Sequence, residues 1–305
     1  MIYTSLLEAI GRTPVVHLKR YSKAVGVEVY AKLESLNPGG SHKARIALGM
    51  LLDAEQRGLL RRGSGQTIVE PSGGNTGIGL AIAANLLGYR LWLVIPDNYS
   101  VEKQKLLRLY GATVVLSDST KGNNSHGEKA LEIQMENPGF IMLNQQRNPA
   151  NPQTHRDTTA LEILSDFESL SIDVFVSGIG TGGHLTGVGE VLKTRWPKLS
   201  VYGVEPEGCD LLNDQHISHG IQGLSVGLIP AVLNCDLIDG MVAVSESECV
   251  DMSRELLHTE AISMGISSAA NFVAISKLAK GDLSPGATVF TMVYDGIESY
   301  LNYFE

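Results

Sequence analysis

The chain has 305 residues, enough for about two domains and for a core that needs no disulfide or metal staple. Hydrophobic residues make up 43% and charged residues 19%, which excludes a disordered chain. A formal net charge of −9, from 24 Lys and Arg against 33 Asp and Glu, lacks the basic footprint of a nucleic-acid binder, so no nucleic-acid partner is expected.

The three cysteines, Cys209, Cys235 and Cys249, are odd in number and far apart, without CxxC or zinc spacing. His216 and His219 stand three apart with no acidic partner pattern and read as surface residues. No metal is therefore expected, and a reducing cytoplasm fits best. The N-terminus carries acidic Glu8 and no basic region ahead of an apolar stretch, so a signal peptide is not expected. The most apolar run, 78–95, is broken by Asn85, Gly88 and Arg90 and reads as a buried helix and strand, with no membrane partner.

In chain order, the spacing predicts a strand over 27–33, a helix over 40–56, a short strand over 67–69 and a buried helix over 77–87. A strand over 90–95, a helix over 101–110 stopped by Gly111, a strand over 113–116 and a helix over 125–136 follow. The alternation continues through 140–143, 152–167, 174–177, 186–194 and 201–204. Residues 205–243 read as loops, and helices near 246–257 and 269–278 precede a last strand over 288–293. Strands separated by helices of about ten residues or more mean βαβ units and a mostly parallel sheet. No flexible tether is visible, so two domains would be interleaved by short crossings.

Three glycine-rich segments sit at expected strand ends, where open α/β sheets bind ligands. Glu70-Pro71-Ser72-Gly73-Gly74-Asn75-Thr76-Gly77 leads into a buried helix, whose first N–H groups favour an anion. Gly178-Ile179-Gly180-Thr181-Gly182-Gly183-His184 is the better phosphate cup, with four glycines and one hydroxyl in seven residues. It is neither GxxxxGK[ST] nor a GxGxxG followed by the required acidic residue. Gly265-Ile266-Ser267-Ser268-Ala269 opens a helix of small residues. In Asn37-Pro38-Gly39-Gly40-Ser41-His42-Lys43, a lysine follows a tight turn at a helix start. The positive helix end and burial both disfavour its charge, as an imine-forming lysine needs. A lysine that forms an imine, with a separate cup for one phosphate, is the signature of pyridoxal phosphate (PLP).

NPGGSHKAR, EPSGGNTGIGLA, GIGTGGHLTGVG, NPANPQTHRDTTALEI and, at their ends, IGRTP and GISS resemble the ordered motifs of the cysteine synthase / cystathionine β-synthase family over residues 5–301. The resemblance implies a fold-type-II PLP enzyme, tryptophan synthase β-like, with two interleaved α/β domains of mostly parallel sheets. The smaller, mobile domain would be 39–145, and the larger 1–38 plus 146–305. It implies that Lys43 holds PLP as a Schiff base and that Asn75 contacts the ring hydroxyl. Gly180, Thr181, Gly182, Gly183 and His184 would wrap the phosphate, and Ser267 would meet the pyridine nitrogen. Ser72, Gly73, Thr76 and Gln145 would receive the substrate α-carboxylate, and Gly223 would line the substrate side. A hydroxyl at the ring nitrogen makes a weak electron sink, which favours loss of a β leaving group over transamination. The implied activity is β-replacement on an activated L-serine, of the O-acetylserine kind, by sulfide, in a homodimer. Sulfide-releasing β-elimination, serine/threonine dehydration, replacement by homocysteine or water, and a non-catalytic PLP-binding regulator stay open.

The motifs depart from the family pattern at His42 and Ala44 beside the lysine, and at Ser72 and Gly73 in the carboxylate loop. They also depart at His184, Ser225-Val226, Ala269 and the stretch 293–301, which includes Asp295. His184 would pair with the phosphate if protonated. His42 reads as structural, because adjacent extended residues point to opposite sides. Ser267 also reads as a helix N-cap.

Overall fold

The computed structural model describes residues 2–122, 124–225 and 227–304. Val226, in the segment expected to line the substrate side, lies outside the described residues. In chain order the regular elements begin β1 (Val15–His17), α1 (Lys19–Val25), β2 (Glu28–Leu33), α2 (Lys43–Gln56), β3 (Thr67–Glu70) and α3 (Asn75–Leu87). Next come β4 (Arg90–Pro96), α4 (Val101–Leu109), β5 (Thr113–Ser117), α5 (Ser125–Glu136), β6 (Ile141–Met142), α6 (Ala150–Thr154) and α7 (Ala160–Asp166). The rest are β7 (Val174–Gly178), α8 (Gly183–Arg195), β8 (Ser200–Pro206), β9 (Gly240–Val244), α9 (Glu246–Thr259), α10 (Ile266–Leu278) and β10 (Thr288–Val293).

The chain divides into two compact units. The first is Met1–Ile10 with Asn37–Ala150, and the second is Gly11–Leu36 with Asn151–Glu305. Residues up to Ile10 thus go with the first unit. That unit carries a four-stranded sheet in the order β5-β4-β3-β6, parallel throughout. Its central strand β3 is buried along its whole length, as a strand covered on both faces is. One core, around Ile46, Met50, Leu80 and Leu93, packs α2 and α3 on the sheet, and a smaller one gathers Val69, Val94, Ala130 and Ile133.

The second unit carries a six-stranded sheet in the order β1-β2-β10-β7-β8-β9. β1 runs antiparallel to β2, and the other pairings are parallel. Two cores line it, one around Val29, Phe272 and Ile275, the other around Phe167, Phe175, Val188 and Phe290.

Three expectations change. The helix expected over 152–167 is α6 and α7 joined by a π-helical turn, His155–Thr159. There Thr158 Oγ1 donates to the Thr154 carbonyl at 2.6 Å, and a Cβ on Gly187 of α8 would run into the Pro152 carbonyl. A π turn is where a helix widens to fit such a neighbour. β9 lies inside the stretch expected to be loop, and β1 with α1 precedes the first expected strand.

Candidate active site

In the first unit, the turn before Lys43 needs glycine at two positions, since Gly39 and Gly40 have φ of +81° and +75°. The turn delivers a half-buried Lys43 as the first residue of α2. A Cβ on Gly79 of α3 would stand 3.1 Å from the Lys43 carbonyl oxygen, so that glycine lets α3 close on the helix start. His42, the N-cap, is helical (φ −59°, ψ −20°), and its Nε2 lies 2.9 Å from Lys43 Nζ. The expectation that His42 points away from the lysine is therefore corrected: the argument holds for extended backbone, and this backbone is not extended.

The next loop runs from β3 into α3. Thr76 Oγ1 donates to Gln145 Oε1 at 2.7 Å, which brings two of the expected substrate residues together. Ser72 and Thr76 are buried. A Cβ on Gly73 would sit 2.7 Å from Ile95 and 2.9 Å from the Tyr99 ring, so the missing side chain makes room for Tyr99. Asn75 is the first residue of α3.

Glu70, which sequence reasoning gave no role, holds this loop. Its fully buried carboxylate accepts from the main-chain N–H of Leu143 at 3.2 Å, Asn144 at 2.8 Å and Gln145 at 3.0 Å. Burial pushes its carboxyl above the usual range, and the three N–H donors pull against that shift. Its only sequence signal is a charge closing the otherwise unbroken strand Thr-Ile-Val-Glu.

In the second unit, the glycine loop joins β7 to α8. Gly182 is the N-cap, with φ +78°. The first-turn N–H groups of α8 have no intrahelical acceptor, the arrangement that favours an anion at a helix start. A Cβ on Gly183 would run into Asn151 Oδ1, and one on Gly180 into the Gly223 carbonyl, so this backbone is approached from two sides. Asn151 Nδ2 donates to Thr181 Oγ1 at 3.1 Å, a second positioning contact the sequence reading missed.

His184 is buried, with its ring edge-on to His155, Phe175 and Tyr294. Its Nδ1 meets Ser177 Oγ at 3.1 Å, and Ser177 Oγ also meets the Tyr294 hydroxyl at 3.0 Å. The Gly178 N–H reaches the Tyr294 hydroxyl at 2.9 Å and Asn271 Oδ1 at 2.8 Å. Two departures from the family pattern thus pack on each other beneath the loop.

Ser267 is the second residue of α10, and the cap position belongs to Gly265. The N-cap reading is corrected. Asp295, after β10, is buried, and its Oδ2 accepts from the Tyr300 hydroxyl at 2.6 Å. Gly223 is exposed with φ +92°, and the buried Ser225 donates its N–H to the Ile179 carbonyl at 2.8 Å.

These residues fit PLP. A half-buried amine at a helix start suits an imine, and a glycine-walled helix N-terminus with a positioned threonine suits a phosphate. Two mostly parallel α/β units carrying such a lysine and such a cup define the class of lysine-tethered PLP enzymes. The family model for the pyridoxal-phosphate dependent enzymes matches residues 6–295, and the chain belongs to that family. It is 41% identical over 299 residues to the cysteine synthase of Staphylococcus aureus (strain Mu50 / ATCC 700699), covering 98% of this chain and 95% of that protein. The crystal structure of O-ureido-L-serine synthase superposes with a TM-score of 0.93 at 42% identity, covering 99% of this chain and 94% of that one. The O-acetylserine dependent cystathionine β-synthase from Helicobacter pylori gives a TM-score of 0.90 at 36% identity, covering 99% and 98%. The fold-type-II architecture expected from sequence is the one observed.

Proposed function

We propose that this enzyme replaces the β substituent of an activated L-serine, of the O-acetylserine kind, with sulfide. The observation that carries the reading is the amine of Lys43, seated at the start of α2 with His42 Nε2 at 2.9 Å. PLP, when bound, delocalises the electron pair left on a substrate Cα. The side chains do the rest. Lys43 would hold the cofactor through its Nζ, and the same amine would take the Cα proton. The loop from Ser72 to Thr76 receives the substrate carboxylate. Because Thr76 donates to Gln145 Oε1, the Gln145 amide presents Nε2 as its donor end. Asn75 and Ser267 serve the ring, and residues 180–184 the phosphate, with His184 contributing its main-chain N–H. Gly223 lies on the substrate side.

A second nucleophile is favoured by the relatives: this chain is as similar to O-ureido-L-serine synthase as to a cysteine synthase. The test is product analysis. PLP-loaded enzyme with O-acetylserine and sulfide is expected to release cysteine and acetate in equal amounts. Turnover only with homocysteine or another nucleophile assigns the second reading. Pyruvate and ammonia alone, or sulfide from cysteine, overturn replacement. Wild-type turnover by Lys43→Ala overturns the role of the lysine.

We further propose a cytoplasmic homodimer. Among the described residues, no helix is long and apolar enough to cross a membrane, and all three cysteines are free thiols, as a reducing compartment requires. Elution at monomer mass would remove the dimer.

A further inference from the structure

After β8 the chain makes a small hairpin. Asp210 and Gln215 exchange two main-chain hydrogen bonds of 2.9 Å and form an isolated antiparallel bridge. Between them lie a 3-10 turn, Leu211–Asn213, and Asp214 in the left-handed region at φ +56°. Residues one step outside such a bridge face each other across the pair. Here those residues are Cys209 and His216, and Cys209 Sγ lies 3.9 Å from His216 Nδ1. His219 follows three residues later, its ring edge-on to His216 with centroids 5.6 Å apart. One ligand atom from each of Cys209, His216 and His219 lies within 4.8 Å of the other two.

The tautomer of the third ligand is set by a neighbouring carbonyl. His219 Nε2 lies 3.4 Å from the Ser225 carbonyl oxygen, which only accepts, so Nε2 carries the ring proton. Nδ1 then keeps its lone pair, and that atom is buried without a hydrogen-bond partner among the described residues. A ring nitrogen pinned to a backbone carbonyl, with the other left to ligate, is the usual outer-shell arrangement of a metal-bound histidine.

We propose that Cys209, His216 and His219 form a three-ligand site for a zinc-class divalent cation. One sulfur and two imidazole nitrogens suit zinc and its borderline-soft neighbours, whereas calcium and magnesium ask for oxygen. In a tetrahedral zinc site, with bonds of about 2.0–2.3 Å, neighbouring ligand atoms stand about 3.3–3.7 Å apart. The Cys209–His216 spacing of 3.9 Å is already close to that range, and the others, at most 4.8 Å, reach it by closing about 1.5 Å or less. Burial falls from Cys209 through His219 to the exposed His216, so the fourth position opens to solvent and accepts water. On binding, the Cys209 S–H bond breaks, its electron pair goes to the metal and its proton to buffer. This revises the sequence reading of His216 and His219 as unrelated surface residues, which did not see Cys209 folded back against them.

The site also reaches the glycine loop. Ser225, whose carbonyl holds His219, donates its N–H to the Ile179 carbonyl, and the Gly223 carbonyl closes on Gly180. A metal would tie 209–225 into one cross-linked segment beside the 178–184 loop.

The test uses the full-length holoenzyme, freed of metal with a chelator and titrated with Co²⁺. One Co²⁺ per chain is expected, with intense tetrahedral ligand-field bands to the red of the cofactor's absorption and a thiolate charge-transfer band. Zn²⁺ should bleach both. Cys209→Ser should abolish the charge-transfer band and weaken binding more than about tenfold, and His216→Ala should weaken it similarly. Cys235→Ser should change neither. Binding that survives Cys209→Ser unchanged, or absence of tetrahedral bands, would each overturn the site.

Discussion

Glu70 closes β3 with its carboxylate 3.0 Å from the main-chain nitrogen of Gln145, and Gln145 in turn receives the Thr76 hydroxyl at 2.7 Å. A buried acid thus positions a loop that we propose receives the substrate carboxylate. Glu70→Gln keeps the shape but turns an NH₂ group toward an N–H donor. The expected result is a loss of about 1–3 kcal/mol in unfolding free energy, the cost of an unmet buried donor. KM for the amino-acid substrate should rise about tenfold, with kcat changed less. Urea melts and steady-state kinetics check both. An unchanged KM would show that Glu70 serves the fold alone.

That relationship also marks where the sequence stops being readable. Lys43, the 72–77 loop and the 178–184 loop are legible because each follows a strand of a parallel or mostly parallel sheet and needs glycine. The φ values of +75° to +81° at Gly39, Gly40 and Gly182 are backbone states that other residues avoid. Glu70 is not legible, because its partners lie over 70 residues away and donate only through main-chain nitrogen. Asn151 reads as one polar residue among several until it folds beneath Gly183 and Thr181. His42 faces Lys43 because its single helical dihedral pair reverses the alternation that holds for a strand. The facing of Cys209 and His216 depends on one backbone bridge that composition does not announce.

Gly73 and Tyr99 form a pair of their own. A hydroxymethyl group at 73, closer to the family pattern, meets Ile95 at 2.7 Å and the Tyr99 ring at 2.9 Å. Gly73→Ser is therefore expected to cost about 1–3 kcal/mol by overpacking. In a Tyr99→Ala background the ring contact is gone and much of that cost should disappear. A double-mutant cycle on unfolding free energy should show about 0.5–3 kcal/mol of coupling. Additive effects would mean that Tyr99 does not occupy the space beside Gly73.

His42 is buried and shares a hydrogen bond with the amine of Lys43. His42→Ala removes that partner and gives the lysine chain more rotamers. Turnover is expected to fall about tenfold to a hundredfold, as for a group that holds or relays a catalytic proton. KM should move less than about threefold. His42→Asn, which keeps a hydrogen-bonding side chain, should recover part of the loss. A drop in melting temperature with unchanged kcat would make His42 structural, as the sequence first implied.

Cys249, on α9, is fully buried, and desolvation pushes its thiol up from 9.0 to about 12. The folded state therefore holds this proton more tightly than the unfolded chain does. Between those two values the unfolded state binds fewer protons, so stability falls as pH rises. The contribution is whole below about pH 9 and is lost as pH climbs toward about 12. Cys249→Ala, although it opens a small cavity, should flatten this alkaline decline relative to wild type in melts from pH 8.5 upward. At pH 8 the native Cys249 should resist iodoacetamide while the partly exposed Cys235 reacts. Rapid alkylation of Cys249 in folded protein, or an alkaline slope that Cys249→Ala leaves unaltered, would contradict the burial of this thiol.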